Sequence, residues 1–217
     1  MKNKQETFGL VLSVKNADDK KSARIVGTDY FTLIDYDLND DADVKVQDKI
    51  DIGKGSDIVK QERAHLSYDD LNKKEMLELE KAVNSIVIAN EPKYVKFFND
   101  QSKDGSRLHF FDGISRKLGS KIIAEKELNG DFESFEDIDK RVSFIESSKD
   151  LVVKRVLYEL IELPKVKRGR PSYLFTVVKR SNKKETPEYD EFVDDDSRFI
   201  EMIKEKGLLE KEGKRIR

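Results

Sequence analysis

The chain has 217 residues; 40% are charged, 37% are hydrophobic, and the formal net charge is only −2. The absence of cysteine excludes a disulfide framework, thiolate zinc sites and cysteine nucleophiles, and it fits a reducing interior. Only His65 and His109 could supply an imidazole, and the longest unbroken apolar run, Ile86 to Ala89, cannot span a bilayer.

Met1 to Phe8 is polar and carries no signal-peptide pattern, so the expectation is a soluble, cytoplasmic protein. Residues 7–63 read as β structure. Strand candidates are Phe8 to Val14, Ala23 to Val26, Tyr30 to Tyr36, Lys49 to Ile52 and Ile58 to Arg63, with turn signals at Asn16 to Asp19, Gly27 to Asp29, Asn39 to Asp41 and Gly53 to Gly55. Short strands with regular turns suggest a small barrel or sandwich, and an OB-like barrel matches the size; an SH3-like barrel has the same periodicity. The register changes at Ser67, where Ser67 and Asp70 have capping-box spacing. Met76, Leu79, Val83, Ile86 and Val87 then follow a helical period, and Pro92 opens a second helix. Further helices are predicted around Leu118 to Ile123, after Ser134 and after Ser147. Pro164 ends the helices, and Tyr173 to Val178 is a lone strand candidate. The fold class read from this order is α+β: an OB-like β-barrel over 1–64 and an all-helical helix-hairpin-helix domain over 65–163. A basic loop and strand follow over 164–180, and a charged, partly disordered extension over 181–217.

Four constellations bear on function. In Phe111 to Ser115, Gly113 permits a tight link between helices and close approach to a phosphate. Ile114 would lock the link from inside. Ser115 opens the next helix, and Arg116, Lys117 and Lys121 would stay outside as cations. Lys154 and Arg155 extend that set. The competing reading is an ordinary helix connection with a solvated basic face. Second, eight Lys or Arg and no Asp or Glu lie between Pro164 and Lys184, among them Lys165, Lys167, Arg168 and Arg170. Arg168-Gly-Arg-Pro171 is like an AT-hook core, or else a flexible basic loop that binds phosphate without specificity. Third, Tyr30 and Tyr36 could stack unpaired bases, with Phe31 assigned to the core. Fourth, seven Asp between Asp35 and Asp51, and eight acids between Glu185 and Glu201, read as solvated surface rather than metal sites. The second acidic tract could instead fold onto the basic 164–184 stretch.

The chain resembles the archaeal domain of unknown function 655. The resemblance is carried by Asp29-Tyr-Phe-Thr-Leu33, Leu66-Ser-Tyr-Asp-Asp-Leu71, Ser106-Arg-Leu-His109, Gly113-Ile114, Phe132-Glu-Ser-Phe-Glu-Asp-Ile138 and Tyr173-Leu-Phe175. It implies an OB-fold protein with a helix-hairpin-helix that binds RNA, acting near ribosome biogenesis or translation. That family usually keeps Leu-Pro-Gly-Ile-Gly where this chain has Phe111-Asp-Gly-Ile-Ser115.

The resulting expectation is a non-catalytic nucleic-acid-binding protein, with RNA favoured over DNA and no cofactor. The ribosome or RNA polymerase is the expected larger partner. The competing class is a protein-interaction adaptor on one of those assemblies with little affinity for nucleic acid. An enzyme is disfavoured because there is no cysteine, little histidine and no P-loop or dinucleotide fingerprint; a metal-dependent nuclease is its remaining form.

Overall fold

Five antiparallel strands form the amino-terminal third: β1 (Phe8–Ala17), β2 (Lys20–Gly27), β3 (Leu33–Leu38), β4 (Lys49–Asp51) and β5 (Val59–Leu66). The structure is a computed structural model that describes residues 5–17, 20–103, 106–166 and 172–177. The strand order is β4-β1-β2-β3-β5, so the sheet is open and the expected closed barrel is not formed. The pairing explains why. β4 and β5 are antiparallel to β1 and β3, which run the same way, so closure would require the less favourable parallel pairing. β4 also offers only three residues.

The open sheet is nevertheless curled. Ile34, Tyr36 and Leu38 share one apolar cluster with Ile50 and Ile52 from its far edge, together with Val11, Ala23 and Ile25. Gly9 permits this approach, because a Cβ there would stand 2.3 Å from Ile25 Cγ2. Leu10, Leu12, Val26 and Leu33 face the other way, into a larger core built with the helices.

The stretch predicted as a strand from Tyr30 begins instead at Leu33. Phe31 is buried and adopts φ +57°, which reverses the chain before the ladder starts. The buried carboxylate of Glu6 holds this turn, accepting N–H bonds from Asp29 (2.8 Å), Tyr30 (3.1 Å) and Thr32 (3.0 Å). A Cβ on Gly27 would lie 2.0 Å from Glu6 Cδ. Gly27→Ala therefore displaces the carboxylate, and an overpacking cost of about 1–3 kcal/mol is expected in urea unfolding.

The helices are α1 (Lys73–Ala89), α2 (Glu91–Asn99), α3 (Arg116–Asn129), α4 (Phe135–Arg141) and α5 (Ser148–Ile161). The Ser67–Asp70 spacing closes a 3₁₀ turn, with the Asp70 carboxylate accepting from the Ser67 N–H at 2.8 Å. α1 itself starts at a second capping box, between Asn72 and Glu75. Ser134 and Ser147 cap α4 and α5 as expected, accepting from the Asp137 and Asp150 amides. No helix among the described residues is long and apolar enough to cross a membrane.

Glu75 fastens α1 to the sheet, accepting from the Ser13 hydroxyl at 2.6 Å and Arg24 at 2.7 Å. Burial pushes its pKa upward, but the bonds from Ser13, the Asn72 amide and Arg24 outweigh that and hold it below its ordinary 4.5. A carboxyl with a lowered folded-state pKa stabilises above its unfolded pKa, and this contribution is lost as pH falls through the lowered value. Glu75→Gln is expected to flatten the acid limb of stability against pH below about 4.5. Denaturant midpoints across a pH series measure this.

α5 buries Val152, Val156 and Leu160, and the same stripe carries Arg155 and Glu159. Glu159 is fully buried. Its carboxylate accepts the N–H groups of Leu174 (2.7 Å), Phe175 (3.0 Å) and Thr176 (2.9 Å), as well as the Thr176 hydroxyl (3.0 Å). The lone strand predicted at Tyr173 to Val178 is therefore not a strand over its described part. The Leu174, Phe175 and Thr176 amides are turned toward a side chain, and Val177 donates to main chain, at Tyr30 O (3.1 Å). Phe175 inserts beside Tyr94 (5.2 Å) and Phe97 (5.1 Å) between ring centroids.

Candidate nucleic-acid interface

The link into α3 is built locally. After a 3₁₀ turn at Leu108–Phe110, Phe111 N–H donates to Leu108 O (3.0 Å) and Ile114 N–H to Phe111 O (3.1 Å). Phe111 and Ile114 are buried and anchor the turn from below. Gly113, between them, has φ +73° and nothing within 4 Å of where a Cβ would stand. The backbone there is left-handed and open to an incoming group. Ser115 caps α3 through Leu118 N–H (3.2 Å). The amides of Arg116 and Lys117 have no acceptor among the described residues.

Arg116, Lys117 and Lys121 are exposed, and none forms an ion pair among the described residues. No acidic residue stands in the first turn of α3. Free amides, the positive end of the helix dipole and three cations thus share one surface. Asp112, half-buried in the turn, is an opposing charge beside them.

The link from α4 to α5 repeats this construction. Ile145 N–H donates to Val142 O (2.9 Å), both side chains are buried, and Ser147 caps the helix that follows. Its charges differ. Asp150 occupies the first turn of α5 and pairs with Lys149 (2.9 Å), and Asp139 accepts from Ser148 N–H (2.7 Å). Among the described residues, the first link presents unpaired cations and the first turn of α5 does not.

Three expected contacts change on inspection. Arg155 is not a surface cation. It is buried, pairs with Glu159 (2.9 Å), and donates to Phe110 O (2.9 Å) and Ser172 O. Its position on the apolar stripe, one helical turn before an acid, is the signal that could have identified it. Tyr36 is not an exposed platform; its ring lies in the sheet cluster, where burial, then Glu62 and Glu6, raise the hydroxyl pKa. Tyr30 is half-buried in the Glu6 turn and does not share strand alternation with Tyr36. Lys154 is half-buried on α5. Lys165 lies 3.4 Å from Asp69 and 3.9 Å from Glu162. Lys167, Arg168 and Arg170, like the 185–201 acidic tract, lie outside the described residues.

The family model described as "Protein of unknown function (DUF655)" matches residues 13–177. The chain belongs to this family. The DUF655 match runs from β1 through the α3 link to the segment held by Glu159. An uncharacterised protein of Methanocaldococcus jannaschii is 29% identical over 166 residues, covering 75% of this chain and 73% of that one. A crystal structure of a protein from Archaeoglobus fulgidus, titled with the DUF655 family model, superposes with a TM-score of 0.68 at 33% identity. It covers 79% of this chain and all of the other. The DUF655 fold is therefore shared between this chain and that protein across both the sheet and the helices.

Proposed function

We propose that this protein binds RNA without catalysing a reaction, gripping the phosphate backbone at the amino end of α3. The observation that carries the reading is the open, positive-φ Gly113 beside the cations Arg116, Lys117 and Lys121, unpaired among the described residues. In this reading the two serine-capped links are the halves of a helix-hairpin-helix pair, of which the first makes the contact. The curled sheet is an opened OB-like module. RNA is preferred over DNA because of the family resemblance, and the same resemblance suggests a ribosome or RNA polymerase setting.

The test is the affinity for a fluorescent structured RNA, a single-stranded RNA and a DNA duplex across a salt series. About three phosphate contacts give a loss of roughly 20- to 40-fold between about 50 and 200 mM salt. Binding that is absent or indifferent to salt would favour the adaptor reading, which the net charge of −2 supports.

A further inference from the structure

The gap between β4 and β5 holds a cavity of about 260 Å³. Ile34 and Tyr36 of β3, with Ile52 and Val59, give it an apolar floor, and polar side chains form most of its walls. One rim is the turn Gly53-Lys-Gly-Ser56. That turn is braced from within: Gly53 N–H donates to Asp51 Oδ1 (2.7 Å), and the Ser56 hydroxyl donates to Asp51 O (2.7 Å) while accepting Ile58 N–H (3.1 Å). Gly55 has φ +88° and open space around its Cα. The bracing leaves the Lys54 and Gly55 amides without an acceptor among the described residues. Lys54 and Lys60 are exposed at the cavity mouth, and neither forms an ion pair among the described residues. The two carboxylates that also line it are engaged. Glu6 holds the Asp29–Thr32 amides, and Glu62 Oε1 lies 3.0 Å from His65 Nε2.

A cavity of this size, with an apolar floor, polar walls, free amides and two cations, suits one flat ring with hydrogen-bonding edges joined to one anion. We propose that the cavity takes a single nucleotide unit, its base in the space bounded by Ile34, Tyr36, Ile52 and Val59 and its 5′-phosphate on the Lys54–Gly55 amides with Lys54 and Lys60. The nucleotide is a residue of bound RNA or a free mononucleotide. Only the first source rests on the RNA-binding reading above.

The test is an NMR titration of the full chain with AMP, UMP, inorganic phosphate and a ten-nucleotide single-stranded RNA, repeated on Lys54→Glu/Lys60→Glu and on the milder Lys54→Gln/Lys60→Gln. At least one mononucleotide is expected to shift Ile34, Tyr36 and Gly55 signals, and either double variant to weaken this at least tenfold with an unchanged thermal midpoint. Tighter binding of the oligonucleotide than of the mononucleotides identifies RNA as the source; equal affinity identifies the free nucleotide. No shift at Ile34 and Tyr36 with either mononucleotide or the RNA overturns the proposal, as does phosphate alone reproducing the full set of shifts. Lys117→Glu/Lys121→Glu separates the two sites. It is expected to weaken structured RNA while leaving the mononucleotide shifts intact, so either site can fail without the other.

Discussion

Replacing Glu159 with glutamine is expected to lower the unfolding free energy by about 3–5 kcal/mol, the usual cost of removing one partner from a buried ion pair. The carboxylate accepts from three backbone amides, one hydroxyl and Arg155. A carboxamide has only one acceptor oxygen, and its NH₂ group would face donors. Arg155 would keep Phe110 O and Ser172 O but stay buried without a counter-charge. The damage should spread from there. The 172–177 segment is tied down mainly through this carboxylate and through Phe175 among the rings of Tyr94, Phe97 and Phe111. Urea unfolding measures the loss, and hydrogen exchange should show the Leu174 to Thr176 amides losing protection before the rest of the core. A stability change below about 1 kcal/mol, the scale of a single neutral hydrogen bond, would show that the buried pair does not organise this region.

What the sequence revealed followed the range of the interactions involved. Serine caps, the Asn72-to-Glu75 helix start and the Gly113 turn depend on residues a few positions apart, and Ser134, Ser147 and Gly113 were legible for that reason. Five strands were also legible from alternation. Their pairing was not, because nothing local tells Ile50 that it will pack with Tyr36 across an open sheet, or Phe31 that Glu6 will hold a turn around it. Arg155 was misread because a lone arginine on a helix has the composition of a surface cation. Its role depends on Glu159 and on a chain segment that returns seventeen residues later at Ser172. Tyr36 stays open between platform and core in the sequence, because alternation assigns a face but does not say which face the sheet will curl around; the structure buries it.

The second large effect is expected at α3. Reversing charge at Lys117, in the first turn of α3, and Lys121, one turn further on, removes two phosphate contacts and sets two carboxylates where ligand phosphates would lie. Each contact contributes about 0.9 to the slope of log affinity against log salt. Two lost contacts therefore make the slope shallower by about 1.8 and weaken binding roughly 60-fold near 0.1 M salt. Both side chains are exposed and unpaired among the described residues, and a carboxylate at position 117 suits the positive helix end by about 0.3–1 kcal/mol, so stability should not fall. Loss of binding would then reflect lost contact rather than unfolding.

The most direct measurement is the paired salt titration of wild type and Lys117→Glu/Lys121→Glu against one structured RNA, with thermal midpoints recorded in the same buffers. The expected result is a shallower slope for the variant, affinities that converge as salt rises, and a variant midpoint no lower than that of wild type. Equal slopes and equal affinities in the two proteins would contradict the assignment of the α3 amino end as the phosphate-gripping surface.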